Sequence, residues 1–483
     1  MKRDPVAQQQ REENRGFLDE VMMKEGARKG LRDDLRDLGI QLATEPMTGE
    51  TPIQDLRRRR RRRADDPVSV VTLTEDDGVF RWELGPGFHR PDLPGSGRRR
   101  GRRRGGPSSG SIVTQLKFRD LPPNEVDIAL GKLDAKLTPD QGLRRVEKTP
   151  AGTWRVGSAD QVPVPTGRIL LLVHGTFSHV GNLLGEFETT GAGRDFLDWA
   201  AGRYQQILAF NHPTLSVSPV MNATDLARHF RSSKADVDIV CHSRGGLVTR
   251  WWNEGFDQGS GRRTRVVFVG SPLAGTSLAS PHRLKDTINL ITNVSKVLTT
   301  GARAGAVAVP MAAPLFTAAA GLLRVFTRVT SFAAKTPLVD AGVALVPGLA
   351  GQSRQGANSQ ILRLREGFAA FPLSVRSTEF LRRYYFVASN FEPKDPGWRF
   401  WKYFNKKQVV NAGADRLFDG ANDLVVDTAS MTDLVDDENM SEAQKRILRT
   451  GHLKMYRRSD TVHHTNYFQQ VPTIRFIREK LSG

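Results

Sequence analysis

At 483 residues, with 39% hydrophobic and 25% charged side chains, the chain is long enough for one large domain plus additions and apolar enough for a globular core. Its one cysteine excludes an intramolecular disulfide, so nothing marks an oxidising compartment. The net charge of +19 is local, because removing the thirteen arginines of Arg57–Arg63, Arg98–Arg100 and Arg102–Arg104 leaves about +6 for everything else.

The first residues, Met1 to Glu13, lack the apolar core of a signal peptide, so a cytoplasmic location is expected, peripheral at a membrane if the basic segments bind one. Residues 1–66 read as a charged helix around Gly16–Leu38 followed by a flexible linker that ends in Arg57–Arg63. Residues 67–155 read as a small β-rich unit. Val68–Leu84 has two strand-forming runs around an Asp-Asp-Gly turn, the pattern of a hairpin, and Ile112–Phe118 and Gly152–Val156 read as further strands. Between them, residues 86–110 are disordered by composition. Arg57–Arg63 and Arg98–Arg104 are expected to attract a polyanion, either nucleic acid or an anionic membrane surface. No aromatic side chain interleaves with them, so base stacking is not indicated, and a solvated linker without a partner is an equal alternative.

Beyond residue 156 the pattern changes. Aliphatic strands are expected at Ile169–Val173, Gln206–Phe210, Val237–Cys241, Arg265–Val269 and Tyr384–Ala388, with helical segments between them. Unbroken apolar runs of this kind suit a parallel sheet buried on both faces. The first run ends in His174-Gly175-Thr176, where a turn can aim a backbone N–H outward, and His174 is expected to orient the loop rather than react. The third runs into Cys241-His-Ser-Arg-Gly245, the form of a strand that turns sharply into a helix and exposes Ser243. Such a corner needs small residues two positions either side; Gly245 meets that need, and Cys241 stands where glycine is usual.

A serine hydroxyl needs an imidazole to take its proton and a carboxylate to orient the imidazole. In the chain order serine, acid, histidine, the candidates are Ser243 as nucleophile, Asp423 as orienter and His464 as base. His463 rivals His464, and Asp427 and Glu392 rival Asp423. The backbone N–H groups of Thr176 and Arg244 are the candidate oxyanion donors. No metal-ligand cluster or phosphate-binding loop competes, so no cofactor is expected; Gly181 to Gly193 is glycine-rich without the lysine of such a loop.

Over roughly residues 165–475 the chain resembles a lipase-type α/β-hydrolase. The resemblance rests on His174-Gly175, the Cys-His-Ser-Arg-Gly corner, Gly270-Ser-Pro-Leu-Ala-Gly-Thr276, Asn422-Asp-Leu-Val-Val426 and His464-Thr-Asn-Tyr-Phe468. It departs at Cys241 and at Leu424, both of which stand for glycine. Phe210-Asn-His-Pro-Thr-Leu-Ser216 is weakly similar to bacterial hydrolases of unassigned substrate. The resemblance implies an α/β fold: a mostly parallel sheet with helices on both faces over 156–483, interrupted by a helical cap. That cap is expected at about 278–371, where Ala304–Leu323 is uncharged for twenty residues. Twelve of those are Ala, Gly or Pro, which favours the cap over a transmembrane helix. The implied activity is cleavage of a carboxylic ester, including a lipid ester, through an acyl-enzyme. The alternatives are acyl transfer on the same fold, or a non-catalytic scaffold whose arginine arms bind nucleic acid or membrane.

Overall fold

In the computed structural model the described residues are 31–42, 68–76, 78–84, 111–119, 121, 125–157, 162, 164–257, 261–279, 283–303, 312–333, 346–354, 358–370, 381–394, 398, 400, 418, 420–435 and 438–483. Arg57–Arg63, Arg98–Arg104 and the loop expected at 86–110 lie outside them.

The strands are β1 (Ile40–Leu42), β2 (Val68–Asp76), β3 (Val79–Leu84), β4 (Ser111–Arg119), β5 (Gly142–Lys148), β6 (Trp154–Val156), β7 (Arg168–Val173), β8 (Gln206–Asn211), β9 (Asp236–His242), β10 (Thr264–Val269), β11 (Tyr384–Phe391) and β12 (Leu453–Ser459). The helices are α1 (Leu31–Asp37), α2 (Val126–Leu137), α3 (Val180–Glu188), α4 (Gly191–Arg203), α5 (Pro219–Phe230), α6 (Gly245–Arg250), α7 (Leu284–Arg303), α8 (Ala312–Ala333), α9 (Pro347–Ala350), α10 (Ser359–Ala370), α11 (Glu438–Ile447) and α12 (Val471–Ser482). They fall into two compact units. One draws its described residues from Met1–Leu133, Leu284–Leu345 and Gly397–Phe404, the other from Asp134–Arg283, Val346–Pro396 and Asn405–Gly483.

The first unit holds an antiparallel sheet in the order β1-β4-β2-β3. β2 and β3 pair as the expected hairpin, with Gly78 in the left-handed region at φ +80° to close the turn. β3 is an edge, and an edge leaves backbone groups unpaired. Helix α7 satisfies them. Asn293 accepts from the Phe80 N–H at 2.8 Å and returns its own N–H to the Phe80 carbonyl at 2.8 Å, while Asn289 accepts from the Trp82 N–H at 2.9 Å. The Trp82 indole donates to Thr292 at 2.9 Å. The described residues of 284–333, expected as part of a cap, thus share a unit with the small sheet. Among the described residues no helix is long and apolar enough to cross a membrane, α8 included.

The second unit is a mixed, mostly parallel sheet of eight strands in the order β12-β11-β10-β9-β7-β8-β5-β6, an α/β architecture. β7 through β12 pair in parallel, and β5 joins β8 and β6 antiparallel. The segment expected at Gly152–Val156 therefore appears as β6, the outermost strand of the large sheet. Successive side chains of a strand face opposite sides. In β7, Ile169, Leu171 and Val173 join a core with Leu226 and Phe230 of α5, whereas Leu170 and Leu172 join a core with Phe187 of α3, Phe196 of α4 and Ile477 of α12. Helices therefore cover both faces. Each leucine-sized side chain so buried is worth about 1.5–3 kcal/mol. Because β7, β9, β10 and β11 run in parallel, their carboxyl ends share one edge, where ligand sites of open α/β sheets form.

Candidate active site

β9 ends at His242 and α6 begins at Gly245, so the chain reverses within two residues. Ser243 sits at the corner with φ +52°, a left-handed backbone that a non-glycine residue adopts only when its surroundings enforce it. Its N–H is fixed by the Val269 carbonyl at 2.9 Å. A β-carbon on Gly245 would stand 2.6 Å from the Val173 carbonyl oxygen, so the corner admits no side chain there. At the other flanking position Cys241 needs no glycine-sized space, because its side chain is packed in the core with Ile239, Val248 and Phe268. Burial pushes its thiol far above the ordinary range, so it stays protonated.

The histidine at the far end of the chain meets this corner. His464 Nε2 lies 2.8 Å from Ser243 Oγ, and its Nδ1 lies 2.8 Å from Asp423 Oδ2. Asp423 is fully buried. Its Oδ1 accepts the N–H groups of Val425 at 3.1 Å and Val426 at 2.9 Å, and its Oδ2 also accepts the Tyr467 hydroxyl at 2.8 Å. The turn that makes this possible puts Leu424 at φ +93°, which accounts for the glycine expected there; burial of the leucine side chain holds the strained backbone. The His464 backbone is pinned as well, its N–H to the Asp423 carbonyl at 2.9 Å and its carbonyl to His242 Nε2 at 2.9 Å.

The rival residues lie elsewhere. His463 turns its Nδ1 to the Thr465 hydroxyl at 3.1 Å and packs edge-on against Phe391. Asp427 accepts from the Ser277 hydroxyl at 3.2 Å and stands 3.7 Å from Arg354. Glu392 is exposed and accepts from the Asn390 side-chain amide at 2.8 Å. Among the described residues the amides of Thr176 and Arg244 donate to no protein group.

Three residues lie in segments quoted from the sequence, which gives them no role of their own. Tyr467 donates to the Asp423 carboxylate, and burial first, then the Asp423 charge, keeps its phenol protonated. His242 anchors the histidine loop. Gly270 follows β10 at φ +54°, and a β-carbon there would lie 2.7 Å from the Tyr467 ring, 3.2 Å from Asp423 Oδ2 and 3.3 Å from His464 Nδ1. Gly270→Ala is therefore expected to displace the acid–base pair and lower any turnover at Ser243 about a hundredfold, as misplacements near 1 Å do. Kinetics on the folded variant check this.

Burial holds His463 neutral, with its pKa lowered to about 3. The unfolded chain binds a proton there below its ordinary value of 6.5, so the stabilising effect is complete above pH 6.5 and is lost as pH falls toward 3. His463→Asn is expected to lose about 2 kcal/mol less stability than the wild type between pH 7 and pH 5. Urea unfolding of both proteins at the two pH values measures the difference.

A family model described as a domain of unknown function (DUF7379) matches residues 141–482. The chain belongs to the DUF7379 family. The match takes in the whole eight-stranded sheet from β5 onward and every residue of the Ser243 cluster. Among solved structures, lipase 1 from Pelosinus fermentans is similar at 14% identity with a TM-score of 0.36, over 65% of this chain and 98% of that chain. No curated protein matches.

Proposed function

We propose that this member of the DUF7379 family is a serine hydrolase of the α/β-hydrolase type that cleaves a carboxylic ester, a lipid ester among the candidates, through an acyl-enzyme. One observation carries the reading: the unbroken chain from Ser243 Oγ through His464 to the buried Asp423, with both links at 2.8 Å. In this reading His464 Nε2 takes the hydroxyl proton as Ser243 Oγ attacks the ester carbonyl carbon. The charge that develops on the carbonyl oxygen is met by the amides of Thr176 and Arg244, each worth roughly 3–4 kcal/mol. The imidazolium, stabilised by Asp423, then gives its proton to the departing alcohol. Water enters, loses a proton to His464 and attacks the acyl carbon; as the bond from that carbon to Ser243 Oγ breaks, His464 returns the proton to Oγ, which releases the acid and restores Ser243.

A fluorophosphonate probe tests this directly. The purified protein is expected to take one label on the peptide that carries Ser243, and Ser243→Ala to lose both the label and short-chain ester cleavage. A folded wild type that takes no label yet binds DNA or anionic vesicles would replace the hydrolase with the scaffold reading.

A further inference from the structure

The segment Asn211–Val217 has no part in the proposed reaction, yet it is bound to the side chain of Arg244 and to His174 and Phe177, which flank the Gly175-Thr176 turn. Arg244, the residue after the serine, is completely buried. Its guanidinium grips the segment at two places: Nη1 donates to His212 Nδ1 at 2.9 Å, and Nη2 donates to the Val217 carbonyl at 2.5 Å. The middle is held from the other side by the Asp134 carboxylate, which accepts the N–H groups of Thr214 at 2.7 Å, Leu215 at 3.0 Å and Ser216 at 2.7 Å.

The clamped segment in turn holds the loop after β7. Asn211 accepts the Val180 N–H at 2.9 Å, and the Thr214 hydroxyl accepts the Phe177 N–H at 3.3 Å. The His212 N–H donates to His174 Nε2 at 3.0 Å, and the His212 ring stacks on the His174 ring with centroids 4.2 Å apart. A backbone N–H can only donate, so His174 Nε2 must accept, and the one proton of the neutral ring sits on Nδ1. That N–H donates to the Gly175 carbonyl at 2.8 Å. In a planar trans peptide the carbonyl and the next N–H point in opposite directions. Fixing the Gly175 oxygen therefore fixes the heading of the Thr176 N–H. Burial keeps His174 neutral, its pKa lowered to about 3, so the arrangement persists through the physiological range.

We propose that Arg244 is a positioning residue for the oxyanion donors: its side chain clamps residues 212–217 so that His174 is held as one tautomer and the Thr176 N–H is aimed alongside Arg244's own N–H. The proposal rests on the hydrolase reading, and it gives the Asn-His-Pro-Thr segment a task. Lysine could not replace the arginine, because the two acceptors are engaged by separate nitrogens of one rigid planar fork.

Two measurements test it. In the wild type, ¹⁵N NMR of histidine-labelled protein at pH 7 is expected to show His174, assigned by loss of its signal in His174→Asn, as the Nδ1–H tautomer. In ester kinetics, Arg244→Met and His174→Phe are expected to lower kcat about tenfold or more with KM nearly unchanged, since a misaimed donor weakens transition-state binding. His174→Asn, whose amide can replace the Nδ1–H donor, should recover most of that loss. A labelled, active wild type with the His174 proton on Nε2 would overturn the clamp alone, as would a folded Arg244→Met with unchanged kcat. A wild type that neither takes the phosphonate nor cleaves ester overturns the underlying function, whichever tautomer the spectrum shows.

Discussion

Asp423→Asn is expected to lower ester turnover about ten-thousandfold, the scale of loss when a serine triad's orienting carboxylate is neutralised. The surroundings of the side chain decide why. Two backbone N–H groups, from Val425 and Val426, already converge on Oδ1, so an asparagine must keep its oxygen on that side. Its NH₂ would then face His464 Nδ1 and the Tyr467 hydroxyl, both of which donate to the carboxylate in the native protein. To avoid a clash of donors His464 must carry its proton on Nε2, the nitrogen that has to receive the serine proton. The fold survives and the base does not. Asp427→Asn should retain turnover to within about tenfold, because Asp427 holds Ser277 and Arg354 rather than the imidazole. Steady-state kinetics on both variants, with circular dichroism as the folding control, separate the two carboxylates. An active Asp423→Asn enzyme would move the orienting role elsewhere.

What the sequence makes legible follows burial. β7 is aliphatic after Arg168, β10 is apolar after Arg265, and β9 is apolar through its middle apart from Asp238, because both faces of these strands are covered; an apolar run bounded by turns is a clear strand signal. β12, Leu-Lys-Met-Tyr-Arg-Arg-Ser, is an edge strand with mostly half-exposed side chains, and its composition carries no such signal. β5 is equally obscure: Gly-Leu-Arg-Arg-Val-Glu-Lys mixes charged and apolar residues without a run of either, and it gains its place by pairing with β8 and β6. Asn289, Thr292 and Asn293 would read as the solvent face of an amphipathic α7, yet they bond the edge of β3, a partner 207 to 213 residues away.

The candidate site divides the same way. Ser243 is marked by its neighbours, and the residue types of an acid and a base are marked by their order. Which of two adjacent histidines faces the serine is not. His463 and His464 differ by one position, and the loop pinned by His242 and Asp423 decides between them. Tyr467 and Gly270 gain their roles only when the loop after β10 and the segment before α12 are brought together, a packing fact with no local signature.

The second large effect lies at the far end of the helix that follows the Ser243 corner. Arg250, the last residue of α6, is fully buried and pairs with Glu254 through Nε at 2.9 Å and Nη2 at 3.1 Å. The same guanidinium donates to the carbonyls of Leu364 at 3.0 Å and Leu434 at 3.1 Å, while Tyr384 donates to Glu254 at 2.9 Å. Arg250→Met would leave the Glu254 carboxylate in the core without its cation and remove the guanidinium's bonds to three carbonyls, those of Leu273, Leu364 and Leu434. Breaking a buried pair in this way costs about 3–5 kcal/mol, a large part of a domain's net stability. Urea unfolding is expected to show that loss. The double variant Arg250→Met with Glu254→Gln should regain a substantial part of it, because the stranded charge is then gone. If the double variant is no more stable than the single one, the cost comes from the lost carbonyl bonds that tie α10 and the residues before α11 to the helix that follows Ser243. In either case the cluster's contribution is to hold that helix, and hence the corner at its start, in a fixed place.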